Sequence, residues 1–417
     1  MGVRHGVAAV SDQAGRARGH NRSRLRIIIA VLLAVIAAAL FDAVSGRLGI
    51  LSFFSPSGPT LAISSPVCGT WEMKPLPFPG ALSEFKLSGI AASPSGSLWA
   101  LGSTSILASE GQLAVARWGN NRWRMIGLPD AVKESAYLAG AHFISDTDGW
   151  AVGHALAPGP GLIAMHWDGW NWSLTPTPDV LGALWSVHGI SGDDVWAVGW
   201  QNHMQPMQEY PLVIHWDGAT WQTTTLPLDD TRATLNDVLA LSKDDVWAVG
   251  RYNEVNAPGP LILHWDGASW QTVPAPVSCS GGYELNSLAA SGANDIWAVG
   301  SCYDSASDTP QHLTQHWDGT RWTTHEVEGQ EEIPGSLLDV TLVSSNDVWA
   351  VGVAKSGRTT SHVQHWNGSS WQTVPGPPAK EYPNSEELVA ASASELWLLA
   401  HNINGHNSSV AKFLRCR

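Results

Sequence analysis

Five histidines each precede a tryptophan in successive repeat units: His166, His215, His264, His316 and His365. Imidazole binds metals and shuttles protons, so such an array invites a metal or acid–base reading. Zinc, however, needs about four ligands near 2 Å. Ligands placed one per unit are spread around a repeat protein instead of converging. A hydrogen bond to a neighbouring turn is the expected role, and no metal or cofactor is assigned. Arg117 and Lys412 replace the histidine in two units, with no matching change visible elsewhere. The paired acids Glu331/Glu332, Glu386/Glu387 and Asp229/Asp230 fall in predicted loops, where adjacent carboxylates are solvated. A glycosidase would need two of them about 5–10 Å apart. The chain has no G-x-S-x-G, no H-E-x-x-H and no phosphate-cradling glycine loop, so no catalytic residue is assigned.

Binding chemistry has better candidates. Trp170, Trp185 and Trp200 fall outside the repeated tryptophan positions. Trp200 opens a segment rich in aromatic and methionine residues, within which Trp200, His203, Met207 and Tyr210 are the expected ligand-binding group. Exposed aromatics of this kind stack on sugars or anchor a protein partner. Trp185 is expected on an inner strand and Trp170 in a turn on the far face, so the three do not form one patch.

What positions these residues is a repeat. An apolar strand of the type V-W-A-V-G centres on Trp99, Trp150, Trp196, Trp247, Trp297, Trp349 and Trp397. A second mark, typically H-W-D-G-x-x-W, follows the first six: Trp118/Trp123, Trp167/Trp172, Trp216/Trp221, Trp265/Trp270, Trp317/Trp322 and Trp366/Trp371. A period of this size with several short strands per unit predicts an all-β, seven-bladed β-propeller of four-stranded antiparallel blades. In the unit spanning 234–276 the strands are expected at 235–241, 245–251, 261–265 and 270–273. Asp266-Gly267 makes a tight turn there. The repeated tryptophans fill the wedges between blades. Each inner strand carries a small or short acidic residue where the strands crowd at the axis: Gly89, Gly140, Ser186, Asp237, Ser287, Asp339 and Ala390.

The seventh unit is incomplete. Phe413 stands where the H-W tryptophan belongs, and no second tryptophan follows, while Cys68-Gly69-Thr70-Trp71 reads like Gly267-Ala268-Ser269-Trp270. The amino-terminal strand is therefore expected to complete the last blade and close the ring. Cys68 and Cys416 align side by side, which predicts a disulfide across the join. The chain-entropy estimate for so long a loop is about 5 kcal/mol. Cys279 in a blade connection and Cys302 after the next second strand predict another.

Residues 1–47 carry seven Arg against Asp12 and Asp42; with a whole-chain net charge of −14, the remainder holds −19. So acidic a body repels phosphate backbones, and nucleic acid is not an expected partner. The division expected is a basic leader at 1–26, a hydrophobic helix at 27–45 acting as anchor or signal segment, a tether at 46–67 and the propeller at 68–417. The apolar run 27–41 is short for a membrane span, and Ala43-Val44-Ser45 would serve as a cleavage site. Either way the propeller is expected outside the cytoplasm, at the cell membrane or secreted, and monomeric.

The units, in particular Asp148-Gly149-Trp150-Ala151-Val152-Gly153 followed by Trp167-Asp168-Gly169, resemble the propeller repeats of exported bacterial proteins of the photosystem II assembly-factor type, themselves similar to BNR (Asp-box) propellers. The resemblance implies a seven-bladed fold used for protein binding or scaffolding. S-x-x-D-V-W stands here where an Asp-box has S-x-D-x-G-x-x-W, and neither a sialidase-like arginine cluster nor repeated kelch glycine doublets occur. The expected function is a non-enzymatic extracellular module. It would recognise a protein or carbohydrate through its face of variable loops, at 103–112, 200–210, 251–260, 301–311 and 324–336. The alternatives are a carbohydrate-active hydrolase or lyase using loop carboxylates, and a purely structural surface protein. A hydrolase should gather carboxylates of raised pKa at the channel mouth; a binding module should show an aromatic patch there.

Overall fold

A computed structural model describes residues 69–74, 84–105, 112–132, 136–155, 161–204, 207–254, 259–303, 309–328, 334–354, 362–377, 384–401 and 408–415. These form seven four-stranded antiparallel sheets. Blade IV shows the pattern: an inner strand Ala233–Ser242, then Asp245–Tyr252, Leu261–Trp265 and an outer strand Trp270–Thr272. The repeat period is what writes this out. Valine, isoleucine and leucine fill the two middle strands, buried on both faces, as β-branched and aliphatic side chains favour. In the turn after Leu261–Trp265, Gly267 adopts φ +90°, and Asp266 Oδ1 accepts the amides of Ala268 and Ser269, both at 2.9 Å. Those bonds hold the exposed Asp266 carboxyl below the usual carboxylate range.

Inner strands of blades I to VII touch in cyclic order, the first also touching the last, so the sheets close a ring. Blade VII is built from both ends of the propeller. Asn384–Ser392, Glu395–His401 and Ser408–Leu414 receive Trp71–Lys74 as the outer strand. Trp71 pairs with Phe413 in register, rings 4.9 Å apart, just as Trp221 pairs with Trp216 in blade III. Gly69 N–H donates to the Leu414 carbonyl at 2.6 Å. Cys68 and Cys416 lie outside the described residues, one position before Gly69 and two after Leu414 in sequence. The leader, the hydrophobic segment 27–45 and the tether also lie outside them. Among the described residues no helix is long and apolar enough to cross a membrane.

The wedges between blades are tryptophan. Each second-strand tryptophan inserts against the paired tryptophans of the next blade: Trp150 lies 5.2 Å from Trp216 and 5.3 Å from Trp221, and Trp196 lies 5.4 Å from Trp265 and 5.6 Å from Trp270. At the closing joint the ring of Phe413 takes that place, 5.5 Å from Trp349.

The repeated histidines complete the wedge. His166, His215, His264, His316 and His365 each bond through Nε2 to the aspartate that opens the second strand of the same blade, at 2.7–2.9 Å. Three of those carboxylates also accept the indole N–H of the wedge tryptophan, as Asp194 does from Trp196 at 3.0 Å. The two replacements turn out to have matching partners. Arg117 donates to Ser97 at 2.9 Å, and Lys412 pairs with Glu395 at 2.7 Å. Each cation lies over its wedge indole, at 5.2 and 5.4 Å, where the other blades stack an imidazole.

Candidate functional site

The inner strands surround an axial cavity of about 310 Å³ that opens to solvent. A bulge in each inner strand sets its chemistry. Register skips one residue between Leu235 and Asp237, and likewise between Leu285 and Ser287, Leu337 and Asp339, and Ser385 and Glu387. An extra residue re-aims the strand and leaves amides without ladder partners. The carboxylates supply those partners. Asp237 accepts the hydroxyl of Ser186 at 2.5 Å from blade III, its own neighbour Val238 N–H at 2.8 Å, and Leu288 N–H at 2.7 Å from blade V. Asp339 repeats the set two blades on, with Ser287 at 2.6 Å, Val340 at 2.8 Å and Leu388 at 2.7 Å. Glu387 accepts Ile90 N–H across the joint from blade VII to blade I. The seventh member of this tier is therefore Glu387, not Ala390: with serine in place of leucine at 385, the leading apolar residue is mistaken by three positions. Glu387 consequently lies on an inner strand and not in a loop.

Two further tiers join the blades. Asn236 Nδ2 donates to the Leu285 carbonyl at 2.9 Å and Asn286 Nδ2 to that of Leu337 at 2.7 Å. Below the carboxylates, His142 Nδ1 accepts Gly189 N–H at 3.0 Å, and its ring stacks on His188 at 3.9 Å. Burial lowers His142 to about 4 and takes His188 well below its usual value, so both rings are neutral. Burial acts in the opposite sense on the acids, raising Asp237 to about 7 and Asp339 to about 6 against the pull of their donors.

An aromatic cluster adjoins the cavity through Trp185. Tyr137 and His154, register partners in blade II, have rings 5.4 Å apart, and His154 meets Trp185 of blade III edge-on at 5.7 Å. Tyr137 stands near the start of its strand and His154 near the end of its own, so the cluster lies toward the blade connections and second-to-third loops. Burial lowers the His154 pKa. Trp185 is the bulge residue of blade III, exposed to the cavity by the same register skip.

The segment 200–210, expected as a loop, is mostly hairpin. Strands Asp194–Met204 and Met207–Trp216 pair throughout, with His203 opposite Gln208 and Met204 opposite Met207. Trp200 is half-buried beside Pro211, and Tyr210 donates to Gln208 Oε1 at 2.9 Å. The side chains of His203 and Met207 lie outside the described residues. Trp170 is 84 % exposed, on the opposite face. Asp229 and Asp230 are exposed in a turn; Glu331 and Glu332 lie outside the described residues. Cys279 and Cys302 are in bonding contact, Cα atoms 6.0 Å apart, and Tyr283 Oη donates to the Cys279 carbonyl at 2.6 Å. Among the described residues, no three His, Cys, Asp or Glu side chains gather as a metal site.

The sequence reading missed Tyr137, His154, His142, His188 and the asparagine tier. The only signal available was that inner strands II to V carry polar or aromatic residues where a buried strand would be aliphatic.

No protein-family profile matches the chain, and no curated protein matches it. Solved structures do. YCF48 bound to D1 peptide superposes with a TM-score of 0.52 at 15 % identity, covering 86 % of this chain and 100 % of that one. YCF48 from Cyanidioschyzon merolae gives 0.54 at 15 %, over 82 % and 98 %. The β-propeller domain of the Trilobed protease from Pyrococcus furiosus, described as having an open velcro topology, gives 0.51 at 10 %, over 80 % and 94 %. At these identities the likeness is one of fold.

Proposed function

We propose that the chain is a non-enzymatic binding propeller that takes an extended segment of a partner protein at the axial mouth, on the face of blade connections and second-to-third loops. The observation that carries this is the aromatic cluster of Tyr137, His154 and Trp185, in which Trp185 lines a cavity whose carboxylates are committed to joining blades. Flat side chains on a rigid scaffold supply contact area at small entropic cost. The blade III hairpin bearing Trp200 and Tyr210, with His203 and Met207 near its tip, extends on the same face and would hold the rest of the segment. That a propeller of this fold carries a bound peptide in YCF48 supports the reading. Residues 27–45 would tether the module outside the cytoplasm.

The hydrolase reading has one specific support: Asp237 and Asp339 line a single cavity with raised pKa values. Each, however, accepts three hydrogen bonds, which leaves little capacity to bind a reacting group. Peptide-array capture by the full chain tests the two together. W185A and the pair W200A/Y210A should weaken capture about tenfold each, as loss of a buried aromatic anchor does. Undiminished capture by W185A would remove the mouth from the site. Turnover of glycans abolished by D339S would replace this reading with the hydrolase.

A further inference from the structure

Blade I departs from the repeat at four structurally equivalent places, and every departure removes negative charge or adds positive charge. The aspartate that opens the second strand in blades II to VI is Ser97 here. The histidine is Arg117, and the turn aspartate of blades II to V is Gly119. The residue directly across the ladder from the histidine is Ser173, Gln222, Gln271, Thr323 or Gln372 elsewhere; here it is Arg124, opposite Arg117 in register. Like charges directly across a strand pair destabilise a sheet unless something offsets them. Packing does not explain the glycine, since a Cβ at Gly119 would meet nothing within 4 Å.

These residues line a cleft of about 360 Å³, with Trp118 along it and Asn120 at its rim, on the face opposite the axial mouth. Arg117 is oriented by its bond to Ser97 and by the Trp99 ring beneath it. Asp146, the neighbouring acid, is held by the hydroxyls of Ser93 and Ser95 and also feels the Arg117 charge, so it offsets part of that one guanidinium and leaves Arg124 uncompensated. Arg124 is exposed and makes no ion pair or hydrogen bond among the described residues. In a body of net charge −19, two guanidinium groups on adjacent strands are a local concentration of positive charge.

We propose that this cleft binds an oxyanion group, phosphate or sulfate, between the Arg117 and Arg124 guanidinium groups, with Trp118 against the moiety that carries it. Guanidinium forks match oxyanion geometry, and two of them on adjacent strands match a tetrahedral group with oxygens to spare on each side.

Calorimetric titration of the full chain with inorganic phosphate, sulfate and acetate at low ionic strength tests it. Phosphate or sulfate should bind saturably, one per chain, and acetate more weakly. Whichever of the first two binds more tightly identifies the class of the natural group. R124Q should weaken binding about tenfold or more, the loss expected for a charge-assisted pair, and R321Q, in the matching turn of blade V, should not. Because Arg117 also supports the Trp99 wedge, S97D/R117H is the second variant. It restores the arrangement of the other blades, so it should keep the melting temperature and lose the anion. Equal binding by R124Q, retained binding by S97D/R117H, or acetate binding as tightly as phosphate and sulfate would each overturn the assignment.

Discussion

Asp237 accepts the amide N–H of Leu288 at 2.7 Å across the boundary between blades IV and V, one oxygen atom joining two sheets that share no ladder. Asp339 does the same for Leu388, and Glu387 for Ile90. A carboxylate is suited to this place because it accepts from the blade before, from its own strand and from the blade after.

Removing one such acceptor should therefore cost stability at a joint and not within a blade. D237A leaves the Leu288 and Val238 amides without their partner and is expected to destabilise by about 1–3 kcal/mol. D237S, which copies blade V, should lose less, because Ser287 Oγ accepts Val340 N–H at 3.3 Å in the equivalent bond. Urea denaturation of the three proteins checks the order; equal midpoints would refute it.

Stability should fall in acid. Burial depresses His142 to about 4, His312 to about 3, His362 to about 4 and His188 well below its usual value, so these rings take up protons on unfolding between about pH 6.5 and 4. Their contribution is present above the unfolded pKa and is lost as pH falls toward the folded one. Asp237 and Asp339 act oppositely: raised in the fold, they contribute stability at low pH that is lost as pH rises toward about 7 and 6. The histidines outnumber them, so melting temperature should drop from pH 6.5 to 4. H362L, which installs the leucine of blades III and IV at this position, should flatten the drop. An unchanged slope would assign acid lability elsewhere.

Trp71 is the outer wedge of blade VII, and its indole N–H donates to the Pro375 carbonyl at 2.9 Å. W71A should destabilise by about 2–4 kcal/mol, the usual loss for a large aromatic packed against others. Deleting residues 68–78 should lower the melting temperature further. Melting curves that match the parent would mean the first strand contributes little to closing the ring.

Peptide mass mapping without reductant should recover Cys279 linked to Cys302 and Cys68 linked to Cys416. Free thiols at either pair, labelled under native conditions, would remove that assignment.

Fold and site differ in how far the chain announces them. The tryptophan spacing carries the number of blades, the strand order and the seam at Trp71 and Phe413, because large rings can be buried only at fixed intervals in a repeated sheet. The site is written less openly. Trp185 and His154 come together only because a bulge turns one strand while the neighbouring blade ends another, and no spacing in sequence encodes that. Glu387 was misplaced since Ser385 breaks the apolar frame used to align it. Segment 200–210 looked like loop because polar residues there alternate on a hairpin with little core to cover. The Ser97–Arg117 and Glu395–Lys412 matches were open to inspection, but the residues stand on different strands, and only the ladder shows them as partners.

Since each indole finds its socket in the following sheet, no sheet is finished on its own, and the chain's order of synthesis matters less than its circular order. A rearranged gene beginning at blade IV and joining the present ends through a short linker would preserve every socket while moving the seam. It should melt close to the parent, and at its new opening rather than at blade VII.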